Sequence, residues 1–206
     1  SPDIVTVTAT FSDSDVSSNK PVSGSISGAN SGNYILDSIS NASITQKSIT
    51  GTSTDRIYDR TTNVTIVLNN VEESDISNVT LSGSMTDKLV GNNKTVSGTL
   101  SGSRAFNYLL SSISTVSISN KIITGTSSDK TYNASTLATI TLSGVITDDI
   151  VNVSGNFADK NVGNSKSVTG ELSGTDASNY TLSSVSTANI TRKDINNLNF
   201  YYFFLL

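Results

Sequence analysis

The 206-residue chain contains no histidine, cysteine or tryptophan. That removes the groups on which serine-triad hydrolysis, thiol chemistry and the usual zinc or transition-metal centres depend. Acid–base work is left to three glutamates (Glu72, Glu73, Glu171) and fourteen aspartates. Two carboxylates can run glycoside hydrolysis, but these acids fall at turns or beside strand ends. The expectation is no enzyme and no cofactor. Asp148 and Asp149 are the candidate metal ligands, because Ca²⁺ takes several hard oxygen ligands. A solvated turn explains the same pair, since no loop alternates Asp-x-Asp before a closing Glu. Lysines and asparagines also abound, the raw material of an acid-assisted isopeptide bond, but sequence does not bring any such trio together. Eight Asn-x-Ser/Thr sequons occur in a chain so rich in these residues that chance supplies many.

The stronger signal is recurrence. Val7 to Tyr34, Leu81 to Tyr108 and Val153 to Tyr180 are three versions of one passage, each ending in Asn-Tyr, with spacings of 74 and 72 residues. Lys20, Lys94 and Lys166 keep those intervals, as do Lys47, Lys121 and Lys193. A fixed period of this size predicts tandem modules, and makes a single active site improbable. Asp13, Asp87 and Asp159 recur, as do Val16, Val90 and Val162. They read either as a shared ligand site or as an Asp capping a turn beside a Val in the core. Tyr34, Tyr108 and Tyr180 read as core or corner tyrosines.

The register divides the chain into a partial first copy (1–46, lacking its opening strands), complete second and third copies (47–120 and 121–193), and an apolar segment, 194–206, that starts a further unit. Asp3 matches Asp149, so the first copy begins partway through the pattern. The chain opens Ser-Pro without Met, which reads as a processed form or a fragment. Net charge is −4 with no basic run, so no nucleic-acid footprint is expected. No apolar stretch reaches membrane-spanning length, and the lack of cysteine leaves the compartment open.

Within a copy the hydrophobic period is two. Val64-Thr65-Ile66-Val67-Leu68 and Thr95-Val96-Ser97-Gly98-Thr99-Leu100 mostly alternate apolar residues with Ser or Thr, the mark of half-buried strands. Gly91-Asn92-Asn93 and Ser101-Gly102-Ser103 supply turns. The second copy is expected to hold strands near 48–52, 56–58, 63–69, 76–84, 94–101, 107–110 and 113–119. The fold class is all-β: tandem small antiparallel β-sandwich, Ig-like repeats. Copies follow one another without a Pro- or Gly-rich linker, which favours a semi-rigid rod.

Phe157 to Gly163, Lys166-Ser167-Val168, Leu172-Ser173-Gly174 and Asn179-Tyr180-Thr181-Leu182 resemble the YDG/MBG-type repeats of large bacterial surface adhesins and haemagglutinin-like proteins. The name-giving motif stands as Ile57-Tyr58-Asp59-Arg60, with Arg60 where Gly is expected, and as Thr131-Tyr132-Asn133-Ala134 one copy later. These departures put the local turn in question. The resemblance implies secretion, a bacterial cell-surface or extracellular setting, and a spacer or adhesive role without catalytic residues.

Phe200, Tyr201, Tyr202, Phe203, Phe204, Leu205 and Leu206 form an aromatic, strand-like end that begins in the register of a first strand. Inserted near Val5, Val7 and Phe11 of another copy, it would supply a strand the first copy lacks. The expected function is therefore an extracellular adhesin stalk, or a surface-filament subunit assembling with copies of itself head-to-tail. The alternative is an adhesion module that binds glycan or another cell's surface through loops at the sandwich ends.

Overall fold

The computed structural model describes residues 2–195; the segment 200–206 proposed for insertion lies outside them. Among the described residues all regular structure is strand or short 3₁₀ turn, the longest turn being Glu73–Asn78. The all-β, tandem character expected from the period-two pattern is therefore present.

The second copy shows how it is built. Lys47–Ser53 is the middle of a three-stranded sheet, flanked antiparallel by Ile66–Asn69 and parallel by Tyr108–Ile113. Thr80–Met85 and Val96–Ser101 form an antiparallel pair. The third copy repeats the plan. Lys121–Ser127 lies between Ile140–Ser143 and Tyr180–Val185, and Asn152–Phe157 pairs with Val168–Ser173. The sheets are thus mixed. Alternation of side chains reports which face of a strand is buried, not the direction of its neighbour. The parallel pair needs a long crossover, and here that crossover contains the second sheet.

Two glycines show how closely the layers meet. A Cβ on Gly51 would stand 3.2 Å from Leu81 Cδ2 of the facing sheet, and one on Gly98 would stand 3.0 Å from Ile113 Cδ1. Branched side chains of each layer therefore fill the space that glycine leaves in the other. The core between them joins Ile49, Val79 and Tyr108 with Leu68, Val71, Leu100 and Leu110. In the third copy Phe157, Val168, Ala188 and Ile190 form a second cluster.

Two of the expected strands are each divided. The run 94–101 breaks at Thr95, and 113–119 breaks after Ile113. Gly91–Lys94 and Val116–Ser119 belong instead to a small sheet with Arg56–Ile57, which holds the Tyr58 motif. The chain crosses between sheets without losing alternation, so pattern alone could not show the break. Ser114 makes the crossing possible: its N–H donates to Gly51 O at 2.9 Å, and its hydroxyl accepts from Ser53 N–H at 2.7 Å.

The chain forms two compact units whose limits do not follow the sequence period. One contains the described residues up to Thr54 together with 63–86 and 95–116. The other contains 55–62, 87–94 and the described residues from Ser117 onward. Each unit therefore holds parts of two successive copies. In the first copy Thr6–Phe11 pairs with Val22–Ser27. Val7 and Phe11 on that strand are 55 % and 37 % exposed, and Val5 is half-buried.

Candidate functional site

The Asn-Tyr pair is where successive copies meet. It follows a 3₁₀ turn, Ala105–Asn107 or Ala177–Asn179. The turn is entered through Gly102 or Gly174, at φ +111° and +112°. A Cβ there would strike the Asn78 or Ile150 carbonyl oxygen at 2.2 and 2.4 Å, so only glycine fits. The turn buries the tyrosine and aims its hydroxyl at a recurring aspartate. Tyr108 donates to Asp75 Oδ2 at 2.8 Å and Tyr180 to Asp149 Oδ2 at 2.5 Å. The asparagine is buried beside it and faces the preceding copy. Asn107 Oδ1 accepts from Val16 N–H at 2.8 Å, and Asn179 Oδ1 accepts from Val90 N–H at 3.0 Å. The same clamp therefore occurs twice.

In the second compact unit the preceding copy contributes three further groups. Tyr58, 1 % exposed, donates to Asp149 Oδ2 at 3.0 Å and meets the Tyr180 ring edge-on at 5.5 Å. Arg60 sets Nη1 at 3.0 Å from Asp148 and Nε at 3.1 Å from Asp149. Asn120 Nδ2 donates to the carbonyls of Ser178 and Tyr180 at 2.7 and 3.3 Å. Tyr180 is held neutral by burial and by Asp149, its pKa pushed up to about 12. Tyr58 is raised further by the same two causes.

In the first compact unit the clamp is the same and the charges differ. Arg104, next to the Asn-Tyr pair, reaches Asp15 of the preceding copy and Asp75 of its own. Asn107 Nδ2 donates to Asp15 Oδ1 at 3.0 Å. Gln46, at the position equivalent to Asn120, donates to the carbonyls of Phe106 and Tyr108 at 3.0 and 3.2 Å. Burial and Asp75 raise the Tyr108 pKa.

The candidate calcium ligands Asp148 and Asp149 lie together, but the guanidinium of Arg60 holds the place a cation would take. The Asp149 side chain is 1 % exposed and already receives both tyrosine hydroxyls. Among the described residues no group of three or more acidic side chains could hold a metal ion. Asp13, Asp87 and Asp159 shape turns, each accepting the N–H two residues on at 2.8 Å. Each also pairs with its recurring lysine: Lys20, Lys94 and Lys166. Those lysines hold the three carboxyls below the usual carboxylate range. The valines do not plug the core. Val16 and Val90 are half-buried and act through their N–H groups, while Val162 is 46 % exposed.

Arg60 and Ala134 resolve the question their sequence raised. Both take positive φ, +68° and +62°, so the glycine-type turn survives without glycine. Arg104, Gln46 and Asn120 were missed as site residues, because the first differs between copies and the others lie at unremarkable positions between them. Subtracting the period from each would have shown Gln46 and Asn120 as one position bearing an amide.

A model of the YDG domain family matches residues 41–115 and again residues 119–188. No curated protein and no solved structure matches the chain.

Proposed function

This chain belongs to the YDG domain family, with two tandem matches, and we propose that it is a structural repeat protein of the bacterial cell surface. In this reading it serves as an adhesin stalk or as the subunit of a surface filament that assembles head-to-tail, and it does no chemistry of its own. The supporting observation is the repeated clamp. Val16 to Asn107 and Val90 to Asn179 join successive copies through the same atoms. The groups with the strongest interactions are thus spent on holding copy to copy. They are buried or half-buried and turned toward one another rather than presented to a ligand, with Asn179 Nδ2 left without a hydrogen-bond partner. Strand addition by residues 200–206 near Val5, Val7 and Phe11 is one route by which the subunit would assemble.

Two measurements test the reading. Protease added to intact cells should remove the protein while leaving cytoplasmic markers whole; full protection would refute a surface role. Electron microscopy of the purified chain should show filaments or extended particles. Deleting residues 194–206 then decides the strand-addition route, since filaments that persist without them exclude it.

A further inference from the structure

Two nearly identical clamps in one chain pose a problem of choice. The valine-bearing face of one copy docks on the Asn-Tyr socket of the next, Val16 on Asn107 and Val90 on Asn179, through the same atoms. Nothing in the clamp itself stops either face from docking on the other socket. What differs is the charge beside it.

Ser14 and Asp15 precede Val16, and both meet Arg104. Its Nη2 donates to Ser14 Oγ at 3.1 Å, and its Nη1 pairs with Asp15. Before Val90 the same two positions are Lys88 and Leu89, and the position of Arg104 is Asp176. Asp176 is held below the usual carboxylate range first by the Ile150 N–H, and further by the nearby cations Lys88 and Arg60. The polarity of the contact is therefore inverted. At the first junction an acid on the face meets a base on the socket. At the second, the bases Arg60 and Lys88 meet the acids Asp148, Asp149 and Asp176.

The inversion leaves a mark on the buried amide. Asn107 Nδ2 donates to Asp15 Oδ1 at 3.0 Å. Asn179, 1 % exposed, has no acceptor for its Nδ2, and Leu89 stands at the position from which that carboxylate would come. A buried N–H without a partner costs stability, and an aspartate at position 89 would supply the acceptor. It would also bring a fourth carboxylate to Asp148, Asp149 and Asp176. The second junction thus forgoes a hydrogen bond that the first one makes, and an acidic socket is kept clear of a further acid.

We propose that Ser14 and Asp15 with Arg104, and Lys88 and Leu89 with Asp176, are specificity-determining residues that decide which face docks on which socket. With the partners exchanged, Asp15 would meet three acids, and Lys88 and Arg60 would meet Arg104. Each wrong combination sets like charges together where the right one sets opposite charges. Such repulsion does not strengthen a correct junction; it removes the alternative pairing between copies whose clamps are otherwise alike. This selection operates wherever the chain is located, at a cell surface or elsewhere.

Exchanging the face residues in the full chain tests it. The variant Ser14→Lys, Asp15→Leu, Lys88→Ser, Leu89→Asp keeps composition and net charge, and changes only which charges meet. In a urea titration at low salt its unfolding equilibrium constant should rise about tenfold over wild type. Adding Arg104→Asp and Asp176→Arg, which exchanges the sockets to match, should lower it again by about threefold or more. High salt should shrink both differences. A face-exchanged chain as stable as wild type overturns the proposal, as does a loss that neither salt nor socket exchange relieves. A milder cycle decides the matter if the variant with six substitutions does not fold. Asp176→Asn keeps the cap on Ile150, since Asn30 accepts from Ile4 N–H at 3.0 Å as Asp176 accepts from Ile150 N–H at 2.8 Å. Beside Asp176, Leu89→Asp should unfold about threefold more readily than Leu89→Asn. With Asp176→Asn that gap should close by about half or more. The same gap in both backgrounds, or Leu89→Asp the more stable beside Asp176, overturns the proposal.

Discussion

Asp75 and Asp149 occupy one position of the repeat and meet the same tyrosine, but their cations arrive from opposite sides. For Asp75 the guanidinium is Arg104, from the same copy, which also grips Asp15 of the copy before. For Asp149 it is Arg60, delivered by the copy before. The side chain of Asp149 is 1 % exposed and that of Asp75 is 12 %. The pattern of the clamp is fixed, and the counter-charge is free to sit on either side of it. A buried carboxylate needs a partner, and which copy supplies it decides how much one copy depends on the next.

The sharpest way to break this comparison is Tyr58→Ala. It removes a fully buried ring and one donor to Asp149, and should cost about 3–5 kcal/mol in a urea titration. Tyr34→Ala, the exposed counterpart of Tyr180, should leave the urea midpoint nearly unchanged. A similar loss from both would mean that burial at the junction is not what stabilises it. Next in size is Arg60→Ala, expected to lower the urea midpoint because Asp149 is left with its tyrosines but no cation. Arg104→Ala should cost less, as the Asp75 side chain, 12 % exposed, is slightly less enclosed than that of Asp149; the reverse order would refute the asymmetry drawn here.

These contrasts also mark what the sequence made readable. Alternating Val, Ile, Leu with Ser and Thr located most strands of the second copy, although the run expected over 76–84 opens in the Glu73–Asn78 turn and is strand only over Thr80–Met85. The direction of Tyr108–Ile113 relative to Lys47–Ser53 was hidden, because side-chain alternation is identical for parallel and antiparallel neighbours. The Asn-Tyr pair stood out as a repeated word. Its partners did not, because Val16 and Val90 contribute backbone N–H groups that carry no residue signature. Calcium was a fair expectation for adjacent aspartates, and Arg60, 88 residues from Asp148 in sequence, is the kind of partner that only folding brings near.

Three smaller effects refine the comparison. The Tyr180 pKa is raised from 10.0 to about 12, and that of Tyr58 is raised too. Their contribution to stability is therefore complete below pH 10 and lost as pH climbs through about 12. Tyrosinate absorbance should rise together with unfolding in that window. At the acid side Asp13, Asp87 and Asp159 are depressed by their lysines, so what they contribute is present above their ordinary value of 3.8. It fades as pH falls below that, which a urea midpoint measured against pH would follow. Smallest is Ala134→Gly. Relief of the left-handed backbone at φ +62° outweighs the added freedom of the unfolded chain, for a gain of about 0.5–1 kcal/mol in the thermal melt.

Because the compact units straddle the sequence period, the chain passes from one to the other at 54/55, 62/63, 86/87, 94/95 and 116/117. The period consequently has no privileged starting point. Whatever 72–74 residue stretch a duplication copies, it carries one Tyr58-type face and one Asn-Tyr socket, merely in a different phase. Such a protein can lengthen or shorten by unequal exchange at almost any base of its gene without inventing a new interface. Only the charges on either side of each clamp then need to be brought back into agreement.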